Sequence, residues 1–206
     1  MTMGQKDWFA YEKAARARGF TRICGIDEAG RGPLAGPVFA AAVILPPDCM
    51  IEGLDDSKKL TEAKREALFT EIQQKASAYS IAFATEQEVD EINILQATYL
   101  AMTRACQSLP EPADYALVDG NQMPPLLGIP GETVVKGDAT SASIAAASIL
   151  AKVSRDRVMA ELDRQYPEYQ FAKHKGYGTK LHRELLQKHG ACPIHRRSFL
   201  KKILGR

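Results

Sequence analysis

Residues 22–45 read RICGIDEAGRGPLAGPVFAAAVIL, two apolar runs joined by a segment rich in glycine and proline. Short apolar runs with β-branched residues between such breakers are typical of strands, so we expect strands at residues 22–26 and 38–45. The first run leads directly into Asp27 and Glu28. Because an α/β sheet builds its functional site at strand ends, this stretch predicts a sheet with an acidic site at its edge.

The rest of the chain supplies further strands and several helices. Additional strands are predicted at residues 79–84, 115–118 and 132–135. Helices are predicted at residues 61–76 with Thr61 as N-cap, along the stripe Ile92, Leu95, Tyr99 and Met102, from residue 140 onward, and at residues 181–189 and 198–204. The helix after residue 140 is dense in alanine and serine, which lets it approach the sheet closely near the site. The pattern therefore indicates an α/β core at residues 1–165 and a helical extension at residues 166–206, within one compact unit.

The extension is strongly basic and the core is acidic. Residues 173–206 contain ten Lys and Arg against one acid, Glu184, a charge of +9, whereas the rest of the chain carries −7. A basic surface attracts phosphates and an acidic one holds cations, so a nuclease fits this division. A solvated helical tail explains the charge equally well.

Composition indicates a compact protein of a reducing compartment. Hydrophobic residues make up 45% of the 206 residues and charged residues 25%, which is the globular range. Four scattered cysteines form no CxxC pair, and charged residues interrupt the first twenty positions, so neither a disulfide framework nor a signal peptide is expected. The longest apolar run, residues 37–47, is too short to span a bilayer. We therefore predict a cytoplasmic protein without membrane contact.

Four acids follow apolar runs and are the candidate catalytic residues. They are Asp27, Glu28, Asp119 and Asp138. If their strands are neighbours, the carboxylates converge and raise one another's pKa unless cations neutralise them. Hard oxygen ligands suit Mg²⁺ or Mn²⁺. Taken singly, an acid at a strand end is usually a turn former, and spacing alone leaves the choice open.

Ordered sequence blocks along nearly the whole chain resemble bacterial ribonuclease HII. The first is GIDEAGRGPLAGP at residues 25–37. The others are DSKKL at 56–60, VDGN at 118–121, KGD at 136–138, AASILAK at 146–152, HKGYGT at 174–179 and HRRSF at 195–199. Departures are small: Ala29 replaces an expected valine, and the residues after Asp138 lie where the family varies.

The resemblance implies a ribonuclease H-like mixed sheet flanked by helices, with a C-terminal helical extension. It implies metal-dependent hydrolysis of the RNA strand of RNA/DNA hybrids and of ribonucleotide-containing duplex DNA. It also makes Asp27, Glu28, Asp119 and Asp138 both metal ligands and catalytic groups. Attack by water would give 5′-phosphate and 3′-hydroxyl ends. A monomer is expected, and no replication or repair partner is identified.

Substrate recognition is predicted at the loop Gly30-Arg31-Gly32 and at Tyr177. Paired glycines let a backbone approach a sugar and read its 2′-hydroxyl. The resemblance implies that this loop contacts the ribonucleotide and that Tyr177 packs on the neighbouring sugar. Lys58, Arg196 and Arg197 are candidate phosphate contacts, as is the adjacent Lys59.

Four alternatives remain open at this point. Ribonuclease HIII has an additional N-terminal domain and differs at the position of Arg31, whereas about twenty residues precede the first predicted strand here. A non-catalytic hybrid-binding module would have lost acids that are intact here. A metal-independent ribonuclease would rely on histidines, all of which lie in the basic tail. The spacing of His189, Cys192 and His195 resembles a zinc site but lacks a fourth ligand.

Overall fold

The computed structural model describes residues 7–204, which form a five-stranded mixed sheet covered by helices on both faces. The strands are β1 Ile23–Ala29, β2 Val38–Ile44, β3 Ala78–Ala84, β4 Tyr115–Asp119 and β5 Gly131–Val134. Their order is β3-β2-β1-β4-β5. The pairs β1/β2 and β2/β3 are antiparallel, whereas β1/β4 and β4/β5 are parallel. The predicted ribonuclease H-like mixed sheet is confirmed.

The register of β1 brings the predicted acids into the sheet. Ile26 pairs with Val118 of β4, so Asp27 and Asp119 follow side by side on neighbouring strands. We expected β1 to end at Ile26, and that boundary was wrong. The antiparallel ladder with β2 continues through Asp27 and Glu28 to Ala29, so these two acids lie within the strand.

Seven helices are assigned among residues 7–204. Their bounds are α1 Ala10–Ala17, α2 Glu62–Lys75, α3 Glu86–Gln107, α4 Ala142–Gln165, α5 Phe171–His174, α6 Lys180–His189 and α7 Arg197–Leu204. Thr61 caps α2 as predicted, because its side chain accepts a hydrogen bond from the amide of Lys64. Helix α3 is interrupted at Asn93, which has a φ of 68°. None of the helices among these residues is long and apolar enough to cross a membrane.

Alternation along the central strands separates two apolar layers. Cys24 and Ile26 of β1 pack with Ala97, Ala101 and Met102 of α3. On the opposite face, Phe39, Ala41 and Val43 of β2 pack with the alanine-rich surface of α4 and with α2. The period of two in these strands explains why neighbouring residues serve different layers.

Helix α4 lies close against the sheet, as its small residues predicted. A Cβ on Gly25 would lie 2.2 Å from the main-chain carbon of Ser143, so only glycine allows this approach. The helix start is fixed by α1, an element that we had not predicted. The buried Glu12 carboxylate accepts hydrogen bonds from the hydroxyls of Ser141 and Ser143 and from the Ser143 amide.

The C-terminal elements pack against the loop that follows β1. Main-chain hydrogen bonds of 2.8 Å join Leu34 to Gly176, Gly36 to Ile194 and Arg196 to Leu34. Helix α4 ends at Gln165, where the proposed extension begins. The division at residue 165 stays a prediction, and residues 1–6 and 205–206 of its two parts lie outside the described residues. The basic segment is thus attached to the glycine-rich loop beside the acids.

Candidate active site

The four predicted acids meet at one edge of the sheet. Asp27 and Glu28 come from β1 and Asp119 from the end of β4, while Asp138 lies in a short 3-10 turn at residues 137–139. Asp27 and Asp138 are buried, with 4% and 7% of their surfaces exposed. The parallel strands β1, β4 and β5 all direct their carboxyl ends to this edge. The topology therefore brings together carboxylates that are distant along the chain.

Main-chain amides orient the aspartates. Asp119 Oδ1 accepts hydrogen bonds from the amides of Gly137 at 2.7 Å and Asp138 at 3.4 Å, which ties the 3-10 turn to β4. A Cβ on Gly137 would lie 3.2 Å from that same oxygen and 2.5 Å from Ile144 Cδ1. Asp27 Oδ1 accepts from the Glu28 amide at 2.7 Å. Backbone donors thus hold these carboxylates before any cation binds.

Burial makes negative charge unfavourable in this cluster. Burial raises the pKa of Asp27 well above its ordinary range, and the carboxylates of Glu28, Asp119 and Asp138 raise it further. Burial also raises the pKa of Glu28, against the opposing effect of Arg31. The pKa of Asp119 is raised by burial and then by Asp138. A bound cation would relieve this repulsion.

The donor set fits a hard divalent cation in an open site. The available ligands are carboxylate oxygens, which Mg²⁺ and Mn²⁺ prefer. Within residues 7–204, no three His, Cys, Asp or Glu side chains are already closed around one point. Mg²⁺ usually takes only one or two carboxylates, with waters and substrate phosphates completing its shell, so a closed protein cage is not required.

A cleft of about 230 Å³ joins three of the four acids to most of the predicted recognition residues. Its lining includes Asp27, Glu28, Asp119, Gly30, Arg31, Gly32, Lys58 and Tyr177. Lys58 Nζ lies 3.5 Å from Asp138 Oδ2. Partial burial lowers the pKa of Lys58, but the carboxylates of Asp138 and Asp27 outweigh it, so its net shift is upward. A larger cavity of about 430 Å³ between α6 and α7 has none of the four acids in its lining.

The glycine-rich loop and the tyrosine face each other across this cleft. Arg31 Nη1 lies 3.4 Å from Glu28 Oε1, which connects the loop to the acids. Gly30 has a φ of +99°, and a Cβ there would collide with the Arg155 side chain. A Cβ on Gly32 would stand 3.9 Å from Tyr177 Cε1, and Tyr177 is 41% exposed. Arg31, Gly32 and the tyrosine ring are therefore exposed beside the cleft, whereas Gly30 is buried against Arg155.

Arg196 is not the phosphate contact that we predicted. It is fully buried, and its guanidinium donates hydrogen bonds to main-chain carbonyls within the loop. Nη2 donates to Gly30 at 2.7 Å, Nη1 to Arg31 at 3.0 Å and to Pro33 at 2.9 Å, and Nε to Gly36 at 2.9 Å. Burial, followed by repulsion from Arg155, lowers the pKa of Arg196 to about 9. The positive charge is used to fold the glycine-rich loop.

Arg155 supports the same loop and was missed in the sequence. It is buried, and its guanidinium donates to the carbonyls of Ala35, Pro37 and Lys175. Helical spacing could have predicted its burial, since Arg155 follows Ser148 and Ala151 on the buried face of α4. Arg197, by contrast, is exposed, and its predicted phosphate contact stays a prediction.

The histidine and cysteine pattern does not build a zinc centre around His195. His195 Nδ1 accepts a hydrogen bond from the Cys192 amide at 3.1 Å, and its Nε2 lies 3.0 Å from His182 Nε2. Both ring nitrogens are therefore occupied by hydrogen bonds. His189 is exposed at the end of α6 and contacts Tyr169 through its ring edge.

The mixed sheet carries acids from its neighbouring parallel strands at one edge, with the glycine-rich loop beside them. This fold and site define a metal-dependent nuclease with the ribonuclease H architecture. The profile of the family described as Ribonuclease HII matches residues 24–202. The chain therefore belongs to the ribonuclease HII family, and it is an endonuclease for the RNA strand of RNA/DNA hybrids. Membership excludes the non-catalytic module and the metal-independent ribonuclease.

Individual relatives agree with this assignment. Ribonuclease HII of Caldicellulosiruptor bescii is 55% identical over 200 residues, which cover 97% of this chain and 97% of the relative. The crystal structure of ribonuclease H2 from Pyrococcus horikoshii aligns with a TM-score of 0.74 and 29% identity over 90% of this chain and 98% of that chain. Bst ribonuclease HIII in complex with Mn²⁺ shares the fold, with a TM-score of 0.70 and 18% identity over 93% of this chain and 72% of that chain.

Proposed function

We propose that Asp27, Glu28, Asp119 and Asp138 hold the divalent cation and are the catalytic residues. The observation that carries this proposal is their convergence at one edge of the sheet, where Asp27, Glu28 and Asp119 line one cleft and have pKa values raised by burial. Both Mg²⁺ and Mn²⁺ suit such oxygen ligands, and Mn²⁺ is the ion in the Bst ribonuclease HIII complex.

Hydrolysis then consists of attack by water on the scissile phosphorus. The cation, when bound, supplies Lewis-acid stabilisation of charge on the phosphate oxygens. The new bond joins the water oxygen to phosphorus, the bond from phosphorus to the 3′ oxygen breaks, and that oxygen leaves as a hydroxyl after taking a proton. The products carry 5′-phosphate and 3′-hydroxyl ends. The 2′-hydroxyl is not consumed and is free to serve recognition.

Recognition of the ribonucleotide belongs to the glycine-rich loop and the tyrosine. The main chain of Gly30, Arg31 and Gly32 follows the acids directly, so it lies within reach of the sugar at the cut. Tyr177 packs on the neighbouring sugar, since its ring lines the cleft and is 41% exposed. This arrangement supports cleavage at a lone ribonucleotide in duplex DNA as well as in long hybrids.

The cationic side chains position the duplex without reading its sequence. Lys58 is 78% exposed at the side-chain level and reaches the cleft, so it is suited to a phosphate near the cut. Arg197 lies on the exposed start of α7, farther along the basic segment. Phosphate contacts of this kind set register and orientation rather than specificity. We further propose that the protein acts as a monomer, and its four free cysteines fit a reducing compartment.

A DNA duplex with one embedded ribonucleotide tests the proposed function. The protein is incubated with it in excess chelator, in Mg²⁺ and in Mn²⁺, and the product ends are mapped. We expect cleavage only with added metal, at the ribonucleotide, with 5′-phosphate ends. Full activity in chelator, or a 2′,3′-cyclic phosphate, would refute the proposed mechanism.

A further inference from the structure

Three buried histidines form a cluster directly behind the cleft tyrosine. His174, His182 and His195 are 7%, 0% and 1% exposed. The rings of His174 and His182 stack with their centroids 4.3 Å apart, and the centroids of His182 and His195 are 5.2 Å apart. Buried imidazoles need defined hydrogen-bond partners, and those partners determine which nitrogen carries the proton.

The partners of His195 determine its tautomer. Its Nδ1 lies 3.1 Å from the Cys192 amide nitrogen and 3.1 Å from the Cys192 sulfur. A main-chain amide can only donate, so Nδ1 must be the acceptor. The proton of the neutral ring is therefore on Nε2, which faces His182.

The same reasoning from the opposite end determines the tautomer of His182. His182 Nδ1 lies 3.0 Å from the Tyr177 carbonyl oxygen, which can only accept. His182 therefore carries its proton on Nδ1, and its Nε2 accepts from His195 Nε2 at 3.0 Å. A chain of donors runs without conflict from the Cys192 amide through two histidines to Tyr177.

The backbone around Tyr177 adopts a tight, left-handed turn that depends on such contacts. Lys175 and Gly176 have φ values of 49° and 82°. The amide of Tyr177 donates to the His174 carbonyl, and the amide of Thr179 donates to the Tyr177 carbonyl, both at 2.8 Å. His182 supplies the side-chain donor to that carbonyl, and the tyrosine ring points toward Gly32.

We propose that His182 is a positioning residue. The hydrogen bond from His195 keeps the proton of His182 on Nδ1, and that proton holds the Tyr177 main chain so that the ring reaches the sugar beside the cut. This inference rests on the proposed recognition role of Tyr177. His182 acts through Tyr177 and does not touch the substrate. Burial lowers the pKa of His182 and His195 to about 4, so both rings stay neutral at ordinary pH.

Two substitutions at position 182 test the two ring nitrogens of His182 separately. The side-chain nitrogen of His182→Asn occupies the place of Nδ1 and keeps the donor to Tyr177. The side-chain amide of His182→Gln reaches the place of Nε2 and keeps the contact to His195, but it loses the donor to Tyr177. Both variants remove the aromatic stack on His174, and the shorter asparagine leaves the larger void, so an effect of packing alone would be greater in His182→Asn, the reverse of the expected order.

The measurement is the ratio of kcat/KM on a single embedded ribonucleotide to that on a long RNA/DNA hybrid. We expect His182→Gln to lower this ratio by about tenfold or more, because small misplacements of contact groups carry costs of this size. His182→Asn should keep the ratio within about twofold of the wild type. A ratio that is unchanged in both variants, or lowered equally in both, would overturn the inference.

The wild-type protein provides a second test that needs no variant to fold. Nitrogen-15 NMR of the histidine rings should show His182 protonated on Nδ1 and His195 protonated on Nε2. A His182 proton on Nε2 would contradict the donor chain and sink the inference.

Tyr177→Ala distinguishes failure of this inference from failure of the proposed function. If Tyr177→Ala leaves the ratio unchanged, the recognition role of Tyr177 fails. If Tyr177→Ala lowers the ratio but His182→Gln does not, only the positioning role of His182 fails. In the double variant, His182→Gln should add no further loss of ratio, because its effect passes through the tyrosine.

Discussion

Arg196 Nη2 donates to the carbonyl oxygen of Gly30 at 2.7 Å, although 166 positions separate the two residues along the chain. The basic C-terminal segment therefore reaches into the core and supports the loop that follows Asp27 and Glu28. Charge alone predicted a phosphate contact for Arg196. Its complete burial shows that one apparent substrate cation is a structural group of the active site.

We predict that Arg196→Lys destabilises the protein by about 2–4 kcal/mol, because several buried carbonyls lose their donor. Denaturant unfolding measures this change. Cleavage of single-ribonucleotide and long-hybrid substrates should fall together, since the loop serves both. An unchanged unfolding free energy with weaker duplex binding would return Arg196 to the role of a phosphate contact.

Arg197→Ala is the matched control at the neighbouring position. Arg197 is exposed, so we expect the unfolding free energy to change by no more than about 0.5 kcal/mol. If Arg197 contacts a phosphate, affinity should fall alike on all duplexes, and the slope of log Kd against log salt should shrink by about 1. An unaltered salt slope would remove Arg197 from the interface.

Replacing Asp27, Glu28 or Asp119 by Asn or Gln should lower activity by several orders of magnitude while the protein stays folded. In metal-free buffer, Asp27→Asn should raise stability by about 1 kcal/mol, or about 2–4 °C in Tm, because it removes a buried repulsive charge. Added Mn²⁺ should stabilise the wild type by mass action and have much less effect on the variant. The exposed Glu111→Gln is the control. If all three cleft variants cut at wild-type rates, the active site has been assigned to the wrong residues.

The strands and the acidic edge could be predicted because each depends on local signals. The apolar runs, the glycine and proline residues that bound them, and the acids after Ile26 and Val118 are neighbours in the sequence. The resemblance to the family then assigned these segments to one site. The end of β1 could not be predicted, because its last residues, Asp27 to Ala29, are held in the strand only by pairing with β2. Helix α1 was missed because its burial depends on Glu12 meeting Ser141 and Ser143, residues more than a hundred positions away.

The same limit applies to the arginines and histidines. Tertiary packing decides whether Arg196 or Arg197 contacts a phosphate or a carbonyl oxygen. The adjacent residues in the sequence do not determine this packing. Both belong to one basic run, yet one is buried and the other exposed. The hydrogen bond between His182 and His195 joins two separate elements in the same way.

Acid should destabilise the protein through its buried histidines. Burial lowers the pKa of His182 and of His195 from 6.5 to about 4, with His174 opposing their protonation in both cases. Between these values the unfolded chain binds protons that the folded chain does not, so stability is complete above about pH 6.5 and falls as the pH drops toward 4. Lowering the pKa from 6.5 to about 4 corresponds to about 3 kcal/mol for one histidine, so the loss summed over the pair is on the order of 6 kcal/mol.

Comparison of variants separates the effect of the histidines on the pH dependence of stability from that of the carboxylates. The raised pKa values of Asp27, Glu28 and Asp119 act in the opposite direction, because these groups are protonated more easily in the folded state. Unfolding free energies from pH 7 to 4 should therefore be compared between the wild type, His195→Gln and the exposed-residue control His189→Gln. We expect a smaller pH dependence only in His195→Gln, and equal slopes in all three would refute the assignment.

Tyr177→Ala should weaken cleavage at a single embedded ribonucleotide more than cleavage of a long hybrid. Tyr177 is the exposed aromatic ring of the cleft, next to the Cβ-free Gly32, and the hybrid offers further sugars whose contacts compensate for its loss. Tyr177→Phe keeps the ring and should retain most of the selectivity, because packing on a sugar needs the aromatic face. Lys58→Ala or Arg197→Ala should instead lower affinity for both substrates and flatten the salt dependence. The quantity to compare is the ratio of kcat/KM on the two substrates for each variant. If Tyr177→Ala lowers both values equally while a cation variant shifts the ratio, the division between a sugar-reading tyrosine and phosphate-binding cations is wrong.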